Sequence, residues 1–469
     1  MKAENNLDTD RIRQLVWRLA FPSMLAQFVS VFYSIVDRIY IGNIPEVGEL
    51  ALAGVGVCGP IVTMVTSVAS WVGVGGAPLL SIRLGQKNQE GARRILANCF
   101  FLLTVLAAAI TVGMILVKDP LLSWFGASET IFPYANQYLT WILLGTVFSL
   151  LSTGMNQFII CQGFSGTGMK AVLIGAVLNI ILDPVFIFVL DMGVSGAAIA
   201  TVLSQVASCA YVLRFLFGRR PMVPITFGGY SRRIMGQVLL MGLSPFIIVA
   251  LDNVMIIALN AQIQRYGGAA RGDMLLTCNT ILQSFMLVIT MPLGGITSST
   301  QTVLGYNFGA GRADRIRKAE KHILLLAVGF TAVMFLASRF LARYFILLFT
   351  RNPEYIALTM EAVSVYTLMI IPLGVQYTVV DGATGMGLPR IAITLSMFRK
   401  VVYFFFLFLI PAVGDIGQIF LAEPISDFIS PAVSAAAFFL VISRVIDRAG
   451  SQRGQEEKVP SGVQKGSAG

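Results

Sequence analysis

The sequence predicts an all-α membrane protein in which twelve transmembrane helices form two six-helix lobes around a central cavity. The composition indicates a membrane protein, since the 469 residues are 56% hydrophobic and only 12% charged, whereas a soluble chain is typically about 25% charged. The apolar stretches are long enough to cross the ~30 Å hydrocarbon core of a bilayer as helices. An internal repeat divides these stretches into two sets of six, which predicts the two lobes.

Twelve apolar stretches follow one another along the chain, and glycine or proline stands at many of their ends, as is common in membrane helices. The predicted helices cover residues 15–41, 51–76, 93–117, 131–158, 167–190, 194–217, 234–262, 272–304, 319–346, 354–383, 389–412 and 418–446. The regions that we expect are an N-terminal lobe over 1–217, a cytoplasmic linker over 218–233, a C-terminal lobe over 234–447 and a polar, disordered tail over 448–469.

The distribution of lysine and arginine predicts the orientation of the helices. When the segments between helices are numbered alternately from the N-terminus, one set holds 25 of the 34 basic residues and the other holds seven. Because cytoplasmic loops carry such an excess, we expect both termini in the cytoplasm and the helices in the plasma (inner) membrane. The net charge of +10 therefore reflects topology, and we expect membrane lipids around the protein and no nucleic-acid partner.

The two halves of the chain match at several points. Pro22 in LAFPSML matches Pro245 in GLSPFII, and Gly85 in the loop after the second helix matches Gly309 in the loop after the eighth. Six helices per half give both halves the same orientation, so an axis along the membrane normal relates them. We therefore expect a cavity between the halves, near the middle of the membrane.

Two carboxylates in the first half lie within apolar helices. Asp37 occurs in MLAQFVSVFYSIVDRIYI and Asp183 in AVLIGAVLNIILDPVFIFVL, and a charge placed there costs roughly 2.5–3.5 kcal/mol even on the mildest insertion scale. Tyr33 and Asn179 each stand four residues earlier, so each shares a helix face with its aspartate. We therefore predict a polar site that contains these four residues, with Thr201 as a further source of oxygen.

The sequence leaves three interpretations of this site open. Two carboxylates close together in low dielectric do not both ionise easily, which suits a proton carrier. Carboxylate, amide and hydroxyl oxygens equally suit Na⁺, held by Asp37, Asn179, Asp183 and Thr201. In the third interpretation the aspartates lie at an aqueous rim and cap helix ends. Arg38 beside Asp37 favours this interpretation, because a charged side chain indicates that this end of the helix reaches water.

Two prolines predict points where the helices bend beside this site. Pro184 follows Asp183 directly and frees the carbonyl group of Ile180, since proline has no backbone N–H to donate. Pro22 stands inside the first predicted helix. We expect both prolines to act as hinges.

The second half has no equivalent of the acid pair. Asn260 stands at the position that matches Asp37, and Val402 at the position that matches Asp183. The candidates for a substrate site or a second-lobe site are Asp252, Asn260, Gln205 and Asp381. Arg399 and Lys400 fall inside a predicted helix, where they either pair with an acid or extend toward the cytoplasm.

The motifs of common enzymes are missing from the sequence. We find no GxxxxGK[ST] phosphate loop, no HExxH zinc motif and no GxSxG nucleophile elbow. The five cysteines show no CxxC spacing, which makes them core residues rather than metal ligands or a disulfide framework. We expect a protein that is not an enzyme and that needs no cofactor apart from its coupling ion.

Three segments resemble the multidrug and toxin extrusion (MATE) family, and its DinF-like branch in particular. They are the first helix with Pro22 and its Val36-Asp37 end, the segment QGFSGTGMKAVLIGAVLNIILDPVFIF with Asn179 and Asp183, and GVSGAAIATVLSQ with Thr201. The resemblance implies two lobes in a V shape. It also implies that Asp37 and Asp183 carry the coupling ion, and that Tyr33, Asn179 and Thr201 hydrogen-bond to them. Arg38 departs from the family, which usually has an uncharged residue there.

The repeat, the acid pair and the resemblance together predict a secondary antiporter that works by alternating access. We expect it to export small cationic, amphipathic compounds in exchange for H⁺ or Na⁺, and to be a monomer. One alternative is a flippase for lipid-linked oligosaccharides, which would need a strongly cationic cavity to hold pyrophosphate. Another is a membrane-embedded enzyme or a receptor, which the repeat and the missing enzyme motifs disfavour.

Overall fold

The computed structural model describes residues 6–45, 47–125, 129 and 131–456, and this part of the chain forms α-helices joined by short connections. The helices are α1 (Ile12–Gly42), α2 (Gly48–Gly85), α3 (Gln89–Trp124), α4 (Phe132–Ile160), α5 (Ser165–Pro184), α6 (Gly193–Leu216), α7 (Arg232–Gly309), α8 (Ala313–Phe340), α9 (Ala342–Ile346), α10 (Pro353–Tyr366), α11 (Ile370–Gly385), α12 (Pro389–Val413), α13 (Ala422–Ala437) and α14 (Ser443–Glu456). Two π-helical segments, Val185–Val189 and Phe438–Ile442, continue α5 and α13, and a 3₁₀ turn over Ile416–Leu421 precedes α13.

The long helix α7 contains two membrane spans. The first arm covers Arg232–Gly267 and the second arm Thr277–Gly309. The Nδ2 atom of Asn279 donates to Oδ1 of Asn260 over 2.9 Å, although residues so far apart on one straight helix would be separated by about 28 Å. The chain therefore reverses direction between the two arms.

One predicted helix is broken. The sequence predicts a single helix over 354–383, but α10 and α11 meet at a bend of 49°. Pro372 lies in the first turn of α11. In a helix that continued from α10, Pro372 would have no N–H to donate to the carbonyl group of Leu368, and its ring would clash with that group. In the described part of the chain, eleven helices can cross a membrane by length and composition, or twelve with this bent pair as one span, which confirms the predicted architecture.

The repeat is visible in the backbone. Gly163 and Gly387 have φ angles of 90° and 76°, a region that glycine enters without steric cost, and each stands two residues before a helix, at Ser165 and Pro389. This equivalence makes Leu407 the counterpart of Asp183. The sequence alignment with Val402 is therefore wrong in register, although both residues are apolar.

Hydrophobic clusters show where the two lobes meet. We call the side on which α1 begins and the segment 218–233 lies the linker face, and the opposite side the far face. Near the linker face, Val238 of α7 packs with Val72 and Leu96 of the first lobe, and Leu19 of α1 packs with Ile316 of α8.

The far face has a separate core in each lobe. Ile41, Ile61 and Leu139 belong to a cluster built from first-lobe residues. Leu259 and Phe285 belong to one built from second-lobe residues. The lobes thus share cores near the linker face and have their own cores near the far face, which is the arrangement of a V that opens toward the far face.

The contact between α2 and α7 is close because glycines line it. A Cβ atom on Gly242 would lie 1.7 Å from the carbonyl oxygen of Trp71, and one on Gly75 would lie 2.4 Å from that of Val238. The indole Nε1 of Trp71 donates to the carbonyl oxygen of Leu239 over 2.8 Å. Backbone therefore packs on backbone at this point, which closes the space between the lobes toward the linker face.

The linker and the C-terminal region pack in different ways. The linker is irregular and is held on the first lobe, where the N–H of Val223 donates to Oε1 of Gln162 over 2.7 Å and that of Ser231 to Oδ1 of Asn98 over 2.8 Å. Helix α14 runs to Glu456, into the segment 448–469 that the sequence predicts to be disordered, and residues 457–469 lie outside the described part. All five cysteines are buried and free.

Candidate ion and substrate sites

The predicted acid pair forms in the first lobe, where α1 packs against α5. The carboxyl groups of Asp37 and Asp183 lie within hydrogen-bonding reach of each other. The Nδ2 atom of Asn179 donates to Oδ1 of Asp183 over 2.9 Å and lies 3.3 Å from Oγ1 of Thr201 on α6. Asp183 is fully buried, whereas Asp37 is partly exposed, so burial argues against the aqueous rim of the third interpretation for Asp183 but not for Asp37.

Several oxygen atoms of this site accept no hydrogen bond from the described residues. They are Oδ1 of Asp37, Oδ2 of Asp183 and Oδ1 of Asn179, and Oε1 of Gln205 on α6 likewise accepts none. Gln205 stands one helical turn after Thr201 on α6, so the two side chains share a face. Buried oxygens without donors are costly, so these atoms would favour a proton, a small cation or another hydrogen-bond donor beside them.

Two tyrosines complete the site. Tyr33 on α1 and Tyr138 on α4 both lie within electrostatic reach of Asp37 and Asp183. Tyr33 is a predicted member of the site, although its hydroxyl group lies closer to Ser30 and Ser34 than to the acids. Sequence reasoning missed Tyr138, whose signal was a tyrosine inside the polar segment YANQYLTW of the fourth helix.

The two predicted hinge prolines have different surroundings. Pro184 ends α5, and the helix continues with π geometry, in which the N–H of Leu190 donates to the carbonyl group of Val185 over 2.9 Å. Such π segments often occur at functional sites. Pro22 lies inside α1, which stays helical from Ile12 to Gly42.

The candidates Asn260 and Asp381 lie in the second lobe, apart from the acid pair. Asn260 is bonded to Asn279, which belongs to a chain of side-chain amides that reaches the hydroxyl group of Tyr366 through Gln283. The Oγ1 atom of Thr297 donates to the carboxylate of Asp381. Asp381 therefore joins α11 to the second arm of α7.

The second lobe contains a largely buried network of charges, of which Asp252 is the most exposed member. Asp252 on the first arm of α7 pairs with Lys400 on α12. Arg399, also on α12, bonds to Glu423 over 2.5 Å and to Asp427 over 2.8 Å, both on α13. Pairing with acids was one of the two fates predicted for Arg399 and Lys400. Three carboxylates thus face two cations within one lobe.

Sequence reasoning missed the two acids of α13. Glu423 and Asp427 stand four residues apart in LAEPISDFISPAVSAAA, so they share one helix face, and that face continues through Ser430 and Ser434, all of them buried. A polar stripe inside an apolar segment was therefore visible in the sequence.

The second-lobe network does not repeat the first-lobe site. Leu407 is the counterpart of Asp183, and Lys400 lies about 10 Å before it along α12, since a helix rises 1.5 Å per residue. Because α12 starts at the linker face, the network lies nearer that face than the acid pair does. The two lobes share a fold but place their charges at different depths.

The family model described as MatE matches residues 22–185 and again residues 246–409, so each half of the chain contains one copy. Among solved structures, one described as the outward-facing conformation of a multidrug resistance MATE family transporter of the MOP superfamily has a TM-score of 0.88. The likeness covers 95% of this chain and 99% of that chain, at 22% identity, and it shows the fold.

Curated relatives match over most of their length. The chain is 25% identical to a protein named FAD transporter from Shewanella oneidensis, over 86% of this chain and 88% of the relative. It is 23% identical to the multidrug export protein MepA from Staphylococcus aureus, over 92% and 93%. Since the family model matches most of both lobes, the chain belongs to the MatE family and is a multi-pass membrane transporter, not an enzyme.

Proposed function

We propose that the protein is a secondary antiporter that exports small cationic, amphipathic compounds in exchange for H⁺ or Na⁺. The observation that carries this proposal is the pair of Asp37 and Asp183, each with a buried oxygen atom that accepts no hydrogen bond from the described residues. An acid pair in low dielectric attracts a small cation strongly. Ions that enter from the far face would neutralise this pair.

Either ion fits the surrounding side chains. If one carboxyl group is protonated, its O–H can donate a hydrogen bond to the other carboxylate, and the repulsion between two negative charges is removed. A sodium ion would find oxygen ligands on Asp37, Asn179, Asp183 and Thr201, the hard ligands that such cations prefer. Neutralisation by either ion changes the contact between α1 and α5, which carry the proposed hinges Pro22 and Pro184.

The V shape supports alternating access. The lobes share cores near the linker face, and we propose that this face is cytoplasmic, with both termini, because the basic residues concentrate there. The state described here would then be open to the outside. Export would follow when the lobes repack so that the contact between Gly75 and Gly242 opens and the far face closes. We further propose a monomer in the plasma membrane.

The charges of the second lobe support a cationic cargo in the cleft, by which we mean the space between the two lobes that opens toward the far face. Lys400 and Arg399 are both paired with carboxylates, and the three acids of this network outnumber them. A flippase that holds pyrophosphate would need free cations in the cavity, which disfavours that alternative. The relative MepA is named as a multidrug export protein, which agrees with this cargo. The other relative is named FAD transporter, and FAD is a larger, anionic compound.

The proposal is tested with the full-length protein in proteoliposomes. The uphill movement of ethidium, an amphipathic cation, is followed by fluorescence while a pH gradient or a Na⁺ gradient is imposed separately. Transport driven by one gradient and abolished by its collapse is the expected result, and it identifies the ion. No uphill transport under either gradient would contradict the proposal, and lipid-linked substrates would then be assayed.

A further inference from the structure

We propose that Lys400 is a tethered cation that competes with the transported cation for Asp252. In the absence of cargo the ammonium group of Lys400 pairs with the carboxylate of Asp252, as in the structure. A cationic compound that enters the cleft binds to Asp252, and the ammonium group of Lys400 moves to Glu423 and Asp427 of α13. This inference rests on the proposed export of cationic compounds and assigns the recognition step of that function to the second lobe.

Asp252 is the accessible member of the pair. Its side chain is 48% exposed, whereas that of Lys400 is 5% exposed. Asp252 stands three residues before Met255 and seven before Leu259, so it shares their helix face, and both of those residues lie in the core of the second lobe. Ile256, four residues after Asp252 on the same helix, is 40% exposed. Asp252 therefore lies at the border between this core and an open surface, which we take to be the cleft between the lobes where cargo can reach it.

Lys400 is held where it can reach more than one acid. It belongs to the buried stripe of α12, between Ser396 and Tyr403, and among the described residues it bonds to Asp252 alone. Glu423 and Asp427 lie within electrostatic reach of its ammonium group. A lysine side chain has a flexible four-carbon stem and three donors that rotate, so it can exchange one acid for another without a change in the backbone.

The acids of α13 have room for a second donor. Each bonds to Arg399 through one oxygen atom, while Oε2 of Glu423 and Oδ2 of Asp427 accept no hydrogen bond from the described residues, and both side chains are at least nine-tenths buried. An ammonium group displaced from Asp252 would satisfy these oxygens. A buried charge that loses its partner is strongly destabilising. Lys400 does not incur this cost, because it keeps an acidic partner after it leaves Asp252.

The charge balance favours exchange over simple addition. The network holds three carboxylates and two cations, so one more positive charge makes it neutral. With cargo on Asp252, Lys400 and Arg399 would share Glu423 and Asp427, and every charge would keep a partner. When the cargo leaves, Lys400 returns to Asp252 and resets the site without a second coupling ion.

The test is equilibrium binding of ethidium to the purified full-length protein in detergent, measured by fluorescence anisotropy at low salt. If Lys400 occupies Asp252 most of the time, the apparent affinity is reduced by the fraction of time that the carboxylate is free. The variant Lys400→Gln removes the competitor, so we expect binding to tighten by about tenfold. The double variant Asp252→Asn with Lys400→Gln should lose this gain.

The matched control is Lys118→Gln, because Lys118 is a lysine of the first lobe that pairs with Asp119. It should leave ethidium affinity unchanged. Equal or weaker binding by folded Lys400→Gln would overturn the proposal, and so would a gain in affinity that survives Asp252→Asn. A gain of equal size in Lys118→Gln would also overturn it, since it would reflect overall charge.

A second measurement does not depend on a stable Lys400 variant. Ethidium added to the wild type should change the carboxylate bands in an infrared difference spectrum, and the change should be absent in Asp252→Asn. A spectrum that is the same in both proteins would overturn the proposal. Failure of the export function is distinguishable, because uphill transport can be absent while ethidium still displaces Lys400 in these two binding experiments.

Discussion

Asp37 on α1 and Asp183 on α5 bring their carboxyl groups within hydrogen-bonding reach of each other, although the two helices are far apart in sequence. A proton or a cation that bridges the two groups therefore links two helices of the first lobe. The same helices contain Pro22 and Pro184. Binding at the acid pair and bending of α1 and α5 are thus physically connected.

Asp37→Asn and Asp183→Asn should each abolish gradient-driven efflux while the protein still folds. Asparagine keeps the size of the side chain and its hydrogen bonds but removes the charge that attracts the ion. We expect uphill ethidium transport in proteoliposomes to fall at least about tenfold, which corresponds to roughly 1.4 kcal/mol of lost ion binding. Asp119→Asn, at an acid that is exposed, is the control, and full efflux by both site variants would contradict this role.

Asn179→Ala should distinguish the two coupling ions. The amide of Asn179 donates to Asp183, and a hydrogen bond to a charged group is worth roughly 1.5–3 kcal/mol. Without this donor a proton binds more tightly, so a proton-driven transporter should reach half-saturation at about tenfold lower proton concentration. A sodium-driven transporter loses an oxygen ligand, so half-saturation should need more Na⁺.

The measurement is the initial rate of ethidium transport as a function of ion concentration, with Asn88→Ala as the control. Asn88 caps α3 at the linker face, and its replacement should leave half-saturation unchanged. An Asn179→Ala protein with the ion dependence of the wild type would exclude Asn179 from the ion site.

Gly242→Ala should open the linker face. The added methyl group would lie 1.7 Å from the carbonyl oxygen of Trp71, whereas a Cβ atom on Gly236 of the same helix would meet nothing within 4 Å. Spin labels at Lys87 and Arg390, one on each lobe near the linker face, report the separation in a background without cysteines. We expect a longer distance in Gly242→Ala and the wild-type distance in Gly236→Ala. Identical distances in both would show that the glycine contact does not hold the lobes together.

Arg399→Gln should destabilise the second lobe. The substitution leaves Glu423 and Asp427 buried without their strongest partner, and removal of one member of a buried ion pair costs about 3–5 kcal/mol. The expected result is a lower midpoint of thermal unfolding in detergent, while Arg93→Gln, at an exposed arginine of α3, should unfold as the wild type does. An unchanged midpoint in Arg399→Gln would mean that the acids find other partners.

The sequence by itself determined the class of the molecule, the number of spans, the internal repeat and the acid pair. Hydrophobic length has a direct physical meaning in a bilayer, because each span must satisfy its backbone internally. The cost of charge in the membrane made Asp37 and Asp183 conspicuous. Helical periodicity then placed Asn179 on the face of Asp183, where the structure has it.

Only the tertiary structure decided which charges meet. Asp252 pairs with Lys400, and Arg399 with Glu423 and Asp427, across three helices whose rotation and depth are set by packing. The reversal within α7 and the break before α11 likewise depend on contacts between segments that are distant in sequence. Periodicity reports the face of a helix on which a residue lies, but the identity of the facing helix is a property of the folded chain.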